Sequence, residues 1–139
     1  TWLLGDIVLP VVDKYKHLGI ILGRAGGWNE HLAHLREKVI KRTGELVGWA
    51  RARAVTLDVA ERLWRVYVER MALYGIGAAS LPPSSRMKLD SIQRKAARML
   101  MAFSPRSPTP AVCMELGWLP WSVQIERERL GLLRRVLKS

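Results

Sequence analysis

The chain has 139 residues, of which 49% are hydrophobic, a length and composition typical of one domain with a buried core and not of a disordered segment. Its 23 Lys and Arg residues against 12 Asp and Glu give a net charge of +11, which favours an anionic partner, most simply nucleic acid, over an acidic protein or a basic surface without a partner. The single cysteine, Cys113, excludes an internal disulfide and favours an intracellular, reducing compartment, while the lack of a long apolar run or signal-peptide pattern predicts no membrane partner.

The N-terminal segment has the composition of β-strands. Residues 7–22 are rich in Val, Ile, Leu and Tyr and are interrupted by Pro10 and Asp13, which predicts two short strands joined by a turn. We expect Gly19 in the middle of the second strand, where it would mark a bulge or the close approach of another backbone. Residues 1–27 are therefore predicted to form one β-hairpin.

Two helices are predicted after Gly27. Asn29 caps the first, which runs to about Arg53. The second runs from Thr56 to about Ala78 and is apolar nearly all round, which predicts a helix at the centre of the domain. The apolar stripe of the first helix consists of Leu32, Leu35, Val39, Leu46 and Ala50.

The remaining elements are also predicted to be helical. Pro82-Pro83 ends the second helix, and Ser84 or Ser85 caps a third helix that runs to about Phe103. A loop over 104–110 leads to a short helix over 111–116 and a final helix over 121–137. The third helix has its apolar stripe at Leu89, Ile92, Ala96, Met99 and Phe103, and the final helix turns Val123, Leu130, Leu133 and Leu137 inward.

The predicted fold is mainly α, with a short N-terminal β-hairpin followed by a bundle of four to five helices. Within one compact domain, 28–103 would form a three-helix bundle and 104–139 a loop, a short helix and the C-terminal helix.

Basic residues outside the apolar stripes are the candidates for contact with nucleic acid. Lys and Arg contacts to phosphates give affinity without sequence preference, although a solvated helix surface is the alternative for any one residue. The third helix carries five cations against Asp90 alone, and the first helix supplies three further candidates outside its apolar stripe. The candidates are Arg86, Lys88, Arg94, Lys95 and Arg98, followed by Lys38, Lys41 and Arg42.

The sequence predicts neither catalysis nor a metal or other cofactor in this chain. Two-metal phosphoryl transfer needs carboxylates that converge on two ions, and the four Asp residues lie in four different elements without an Asp-Asp pair. His31 and His34 are three residues apart, but Cys113 is the only further soft ligand, so no metal site is expected.

Five short strings follow one another in an order and at spacings that resemble a known family. They are Tyr15-Lys16-His17-Leu18-Gly19, Trp28 with His31, Leu73-Tyr74-Gly75, Lys88-Leu89 with Gln93-Arg94, and Glu115-Leu116-Gly117 with Pro120. Together they resemble the region that follows the catalytic palm in non-LTR, LINE-type retrotransposon reverse transcriptases. The resemblance covers nearly the whole chain.

The resemblance implies a function in holding nucleic acid. The strand pair resembles the primer-grip hairpin, which adds Lys14, Lys16 and His17 to the candidates. The helices resemble the thumb and connection, which close on the primer-template duplex. A catalytic palm would lie beside them in the parent protein, an RNA-directed DNA polymerase, and the Tyr/Phe-x-Asp-Asp turn of that palm is not present in this sequence.

Three hypotheses follow from these observations. The chain is a thumb-like fragment of a retroelement reverse transcriptase, or a domesticated remnant that serves as an RNA-binding structural component of a ribonucleoprotein such as a ribosome. In the third, it is a helical protein-interaction module whose charge meets an acidic partner. The sequence leaves open whether the nucleic acid is RNA, RNA-DNA hybrid or duplex DNA.

Overall fold

The computed structural model describes residues 2–102 and 109–138. It begins with two antiparallel hairpins, β1 (Trp2–Leu4) with β2 (Ile7–Leu9), and β3 (Lys14–His17) with β4 (Ile20–Gly23). A series of helices follows, so the predicted fold class is confirmed, with two hairpins in place of one.

Gly19 lies in a turn and not within a strand, so the prediction of one continuous strand through it was wrong. Leu18 and Gly19 both have positive φ, at 48° and 85°, and form the two-residue connection between β3 and β4. Positive φ at both central residues matches the twist of the strands that such a turn connects. His17 therefore pairs with Ile20, and Lys14 pairs with Gly23.

Helix α1 (Asn29–Ala52) has the predicted bounds and buried stripe. Leu32, Leu35, Val39 and Ala50 are buried, and Leu46 is half-buried. Trp28 occupies the N-cap position, and Asn29 is the first helical residue. The Oδ1 atom of Asn29 accepts a hydrogen bond from the Nζ atom of Lys88 at 2.9 Å, so this side chain joins two helices and does not cap one.

The second helical stretch is shorter and more exposed than predicted. It comprises α2 (Leu57–Trp64), a π-helical turn (Arg65–Glu69) and α3 (Arg70–Leu73). Gly75, with φ of 74°, separates it from a 3₁₀ turn (Ile76–Ala78). One side of the stretch packs on the core while the other meets solvent, so the prediction of a helix buried all round was wrong. Its buried residues are Ala60, Trp64, Val68 and Ala72, whereas Val59, Val66 and Tyr67 are exposed.

Helix α4 (Pro83–Met101) begins at a proline. Pro82 holds the N-cap position and Pro83 is the first helical residue, where the missing N–H costs no hydrogen bond. The predicted serine cap was therefore wrong, and Ser85 is buried inside the helix. Leu89, Ile92 and Ala96 are buried as predicted, Met99 is half-buried, and Phe103 and positions 104–108 lie outside the described residues.

The last two helices are α5 (Thr109–Glu115), which starts two residues before its predicted first residue, and α6 (Trp121–Lys138). The inward side of α6 was predicted wrongly. Trp121 and Ile125 are its buried residues. The four residues expected inside, Val123, Leu130, Leu133 and Leu137, are all exposed.

Three tryptophans fix the packing of the helices. The ring of Trp64 stacks on Trp118 at 4.2 Å and on Trp121 at 6.0 Å between centroids, with planes within 16° and 12°. The indole N–H groups donate to Thr43 Oγ1, Glu61 Oε1 and Glu69 Oε1, at 2.9, 2.8 and 2.9 Å respectively. Because buried indoles need such acceptors, this stack sets how α1, the second helical stretch and α6 fit together.

Candidate nucleic-acid interface

Helices α1 and α4 run side by side in the same direction. Asn29 meets Lys88 near their N-terminal ends, and a Cβ at Gly44 would lie 3.6 Å from the Cε atom of Met99 near their C-terminal ends. A Cβ at that distance would make an ordinary van der Waals contact, so the two helices are neighbours there as well as at their N-terminal ends. A surface groove therefore lies between two helices that both carry candidate cations.

The groove between α1 and α4 has a volume of about 300 Å³ and two cations at its rim. Lys88 is held there by its hydrogen bond to Asn29, and Arg36 is on the α1 side. Lys95 follows Lys88 by two helical turns, about 10 Å along the same side of α4. The groove is lined by Asn29, Leu32, Ala33, Arg36, Lys88, Ser91 and Ile92, none of which is acidic.

Arg36 was missed by the sequence analysis. It lies four residues after Leu32, so it belongs to the edge of the buried stripe and not to the basic side of α1 on which the candidates were sought. That edge becomes part of the groove because α4 packs beside it. The helical period of α1 could have placed Arg36 at this edge. It could not have shown that α4 packs beside it.

The five α4 candidates do not form one surface. Arg86 packs against α6, where its Nη2 atom lies 2.7 Å from Glu126 Oε1 and its Nε atom donates to the carbonyl oxygen of Leu81 at 3.0 Å. We therefore assign Arg86 to helix packing and not to ligand contact. Lys88 and Lys95 belong to the groove side of the helix.

Arg94 and Arg98 lie toward α5, near the Cys113 thiol. Burial raises the pKa of that thiol, and the two guanidinium groups oppose the increase. Arg94 also lines a cavity of about 420 Å³ together with Asp90, Cys113 and Pro120. Both arginines are half-buried. The structure thus separates this pair from Lys88 and Lys95.

Asp90, the acid on α4, faces α6. Its Oδ1 atom accepts from the backbone N–H of Ser122 at 2.8 Å, and its Oδ2 atom accepts from the Ser122 hydroxyl at 2.6 Å. The carboxylate therefore satisfies one of the backbone N–H groups at the start of α6 that have no partner within the helix. This arrangement leaves the groove side of α4 uniformly positive.

Lys38 lies in a second cleft on the other side of α1, about 200° around the helix from Arg36. This cleft has a volume of about 430 Å³ and is bounded by the β3–β4 turn, α1 and α3. Arg70, which the sequence analysis did not single out, also lines it. The full lining is Leu18, Gly19, His31, His34, Leu35, Lys38, Arg70, Met71 and Tyr74.

His31 joins the β3–β4 hairpin to α1. Its Nδ1 atom accepts a hydrogen bond from the backbone N–H of Ile21 at 3.3 Å, which requires an unprotonated Nδ1. Burial lowers the pKa of His31, and the positive charges of His34 and Lys38 lower it further. The imidazole is therefore a neutral structural group at physiological pH.

The candidates on β3 differ in their surroundings. Lys14 Nζ lies 3.2 Å from Glu30 Oε1, which ties it to the start of α1, and the His17 ring stacks on Tyr15 at 6.1 Å between centroids. Lys16 is exposed and pairs across the hairpin with Ile21.

Lys41 and Arg42 are exposed on α1. Within the described part of the chain, neither these two side chains nor Lys16 has a carboxylate oxygen within 4.0 Å. They are therefore available to a ligand, although they do not share the groove.

Within residues 2–102 and 109–138, no cluster of three or more His, Cys, Asp or Glu side chains has the geometry to hold a metal ion. His31 and His34 line the cleft that also contains Lys38. Over the same residues, none of the helices combines the length and apolar character that a bilayer crossing requires. No family model, curated protein or solved structure matches the chain.

Proposed function

We propose that this chain is a nucleic-acid-binding, thumb-like fragment of a retroelement reverse transcriptase, without catalytic residues of its own. Its ligand would be the phosphate backbone of RNA, of an RNA-DNA hybrid or of another duplex. The observation that carries the proposal is the groove between α1 and α4, which has Arg36 and Lys88 at its rim and no acidic residue in its lining.

The chemistry of this groove suits a phosphate backbone. Lys88 has a fixed position because Asn29 accepts from it, and Arg36 presents a guanidinium that can contact two phosphate oxygens at once. Ser91 adds a hydroxyl donor to the lining. Contacts of these groups to phosphate oxygens carry no sequence information, so the groove would bind the backbone without sequence preference.

The N-terminal hairpins support the proposal that a larger protein surrounds this part. All six residues of β1 and β2 are exposed, and all six are apolar. An apolar surface of this kind is typical of a contact with another domain. In the reverse transcriptase proposal, that neighbour is the catalytic palm, and Lys16 and His17 lie on β3 of the second hairpin.

The experiment compares two triple variants of equal charge change for binding to a fluorescent RNA-DNA hybrid. In Arg36→Glu/Lys88→Glu/Lys95→Glu, the groove loses its two rim cations and α4 loses Lys95 on the same side. We expect affinity to fall by more than tenfold at moderate salt, since each phosphate contact depends strongly on charge. Arg127→Glu/Arg134→Glu/Arg135→Glu makes the same change on exposed positions of α6.

The comparison separates a binding site from general charge. If the α6 variant loses as much affinity as the groove variant, the ligand senses only net charge and the groove assignment is wrong. Circular dichroism checks that both variants keep the helical content of the native chain.

The ribonucleoprotein alternative uses the same groove with folded RNA, and preference for structured RNA over hybrid would favour it. The protein-interaction alternative has its own observation, namely the exposed leucines of α6. It predicts that neither triple variant changes affinity for nucleic acid, because the chain would bind little.

A further inference from the structure

Helix α6 extends beyond the core that holds its first turns. Its buried residues are Trp121 and Ile125, and the helix continues to Lys138, about 20 Å further along its axis. In this extension Leu130, Leu133 and Leu137 are 65%, 58% and 85% exposed. The leucines recur at helical spacing, so they form one apolar stripe along the extension.

Such an extension is not stable on sequence propensity alone. An isolated helical segment of this length is marginal in water, and most of the stability of a helix in a protein comes from packing of its apolar side. A row of leucines in solvent at the end of a long helix is therefore the signature of a surface that another element covers.

The stripe follows a heptad register. Val123, Leu130 and Leu137 occupy a positions and Leu133 occupies a d position. Glu126 occupies the remaining d position and bonds within the chain to Arg86 and Arg129. The contact is therefore centred on the three leucines, beyond this ion pair.

Charge beside the stripe identifies the partner. Three of the four flanking e and g positions from 127 to 136 are arginine, namely Arg127, Arg129 and Arg134. In a parallel pair of two copies, e positions would face g positions, and in an antiparallel pair like positions would face each other. Either arrangement places arginine against arginine, so a second copy is a poor partner.

We propose that the leucine stripe of α6 binds an amphipathic helix of a protein partner that carries acidic residues beside its own apolar stripe. Glu or Asp at the flanking positions of that helix would pair with Arg127 and Arg134, while its apolar residues cover Leu130, Leu133 and Leu137. This surface is separate from the groove between α1 and α4, so the inference does not depend on the proposed function.

The test uses two synthetic helical peptides with the same leucine heptads, one with Glu and one with Lys at every e and g position. Binding to the full chain is measured by fluorescence anisotropy. We expect the Glu peptide to bind at least tenfold more tightly than the Lys peptide, since the arginines attract one and repel the other. Arg127→Glu/Arg134→Glu should reverse this preference, and Leu133→Ser/Leu137→Ser should abolish binding of both.

A charge-matched control and two competing outcomes complete the test. Arg51→Glu/Arg53→Glu, at the exposed end of α1, should leave the preference unchanged. Equal binding of both peptides, or a preference that survives the Arg127→Glu/Arg134→Glu change, overturns the proposal. Dimerisation of the native chain through Leu133 in sedimentation experiments, or binding of anionic lipid vesicles in place of the Glu peptide, overturns it as well.

Discussion

Gly75 has two separate reasons to be glycine. Its φ of 74° lies in the left-handed region, and a Cβ at this position would lie 2.5 Å from the Cδ1 atom of Ile20 on β4. The residue that ends the second helical stretch therefore also lets the β3–β4 hairpin pack against it. The left-handed backbone of Gly75 and the contact with Ile20 therefore both disfavour a Cβ atom at this position.

Gly75→Ala is expected to destabilise the chain by about 2 kcal/mol, of which about 1 comes from backbone strain and about 1 from displacement of Ile20. Gly117 has a φ of 61°, and a Cβ added to it would have no atom within 4 Å, so Gly117→Ala isolates the strain. Urea unfolding of both variants gives the comparison. Equal losses in the two would show that the hairpin does not pack on Gly75.

His31 predicts a pH dependence of stability with a defined sign. Its pKa in the folded chain is lowered from 6.5, so the unfolded chain takes up a proton at a higher pH than the folded chain does. The contribution of neutral His31 to stability is fully present above pH 6.5, and it is lost as the pH falls through the lower pKa that His31 has in the folded chain. Protonation also removes the acceptor that Ile21 N–H uses.

The corresponding experiment measures unfolding free energy from pH 7.5 down to 5 in the native chain and in His31→Asn. Asparagine keeps an acceptor near the position of Nδ1 and does not titrate, so this variant should lose less stability on acidification. His34→Asn should lose only part of the native acid sensitivity, because it removes one of the charges that lower the pKa of His31 and leaves the burial, which is the larger cause. An identical pH profile for His31→Asn and the native chain would contradict the assignment.

At the scale of elements, Asp90 is one of the residues that join α4 to α6. Asp90→Ala leaves the backbone N–H of Ser122 without its acceptor at a helix start, and we expect a loss of about 1–2 kcal/mol in unfolding free energy. Affinity for nucleic acid should stay equal or rise, because a negative charge is removed. A fall in affinity without a loss of stability would instead place Asp90 in the binding surface.

The sequence predicted the elements whose apolar stripes are unambiguous. The buried residues of α1 and α4 follow the helical period, and their cores are made of single stripes. The prediction of the buried side of α6 was wrong because this helix carries two apolar stripes, and the stripe with more leucines is the exposed one. The indole of Trp121 decided the orientation, since it has stacking and hydrogen-bonding partners that Val123 lacks.

The candidate site was predictable only in part. Lys88 and Lys95 could be selected from the basic side of α4, but their groove depends on how α1 packs beside them. The ion pair of Arg86 joins residues 40 positions apart in the chain, which no local pattern reveals. Arg36 and Arg70 become candidates through tertiary packing alone.

Across the whole molecule, positive charge is distributed over several surfaces. Lys88 belongs to the groove, Lys38 to the cleft on the other side of α1, and Arg134 to the exposed part of α6. A net charge of +11 alone would attract any polyanion. A site of defined shape should instead distinguish duplexes from single strands.

The central claim is tested most directly by the affinity of the purified chain for an RNA-DNA hybrid, duplex RNA and single-stranded RNA across a salt series. We expect tighter binding to the duplexes, and a slope of about −3 for the logarithm of the association constant against the logarithm of salt concentration, since Arg36, Lys88 and Lys95 would each neutralise a phosphate and release about 0.9 counterion. Absence of binding at low salt, or equal affinity for all three ligands, would contradict the claim.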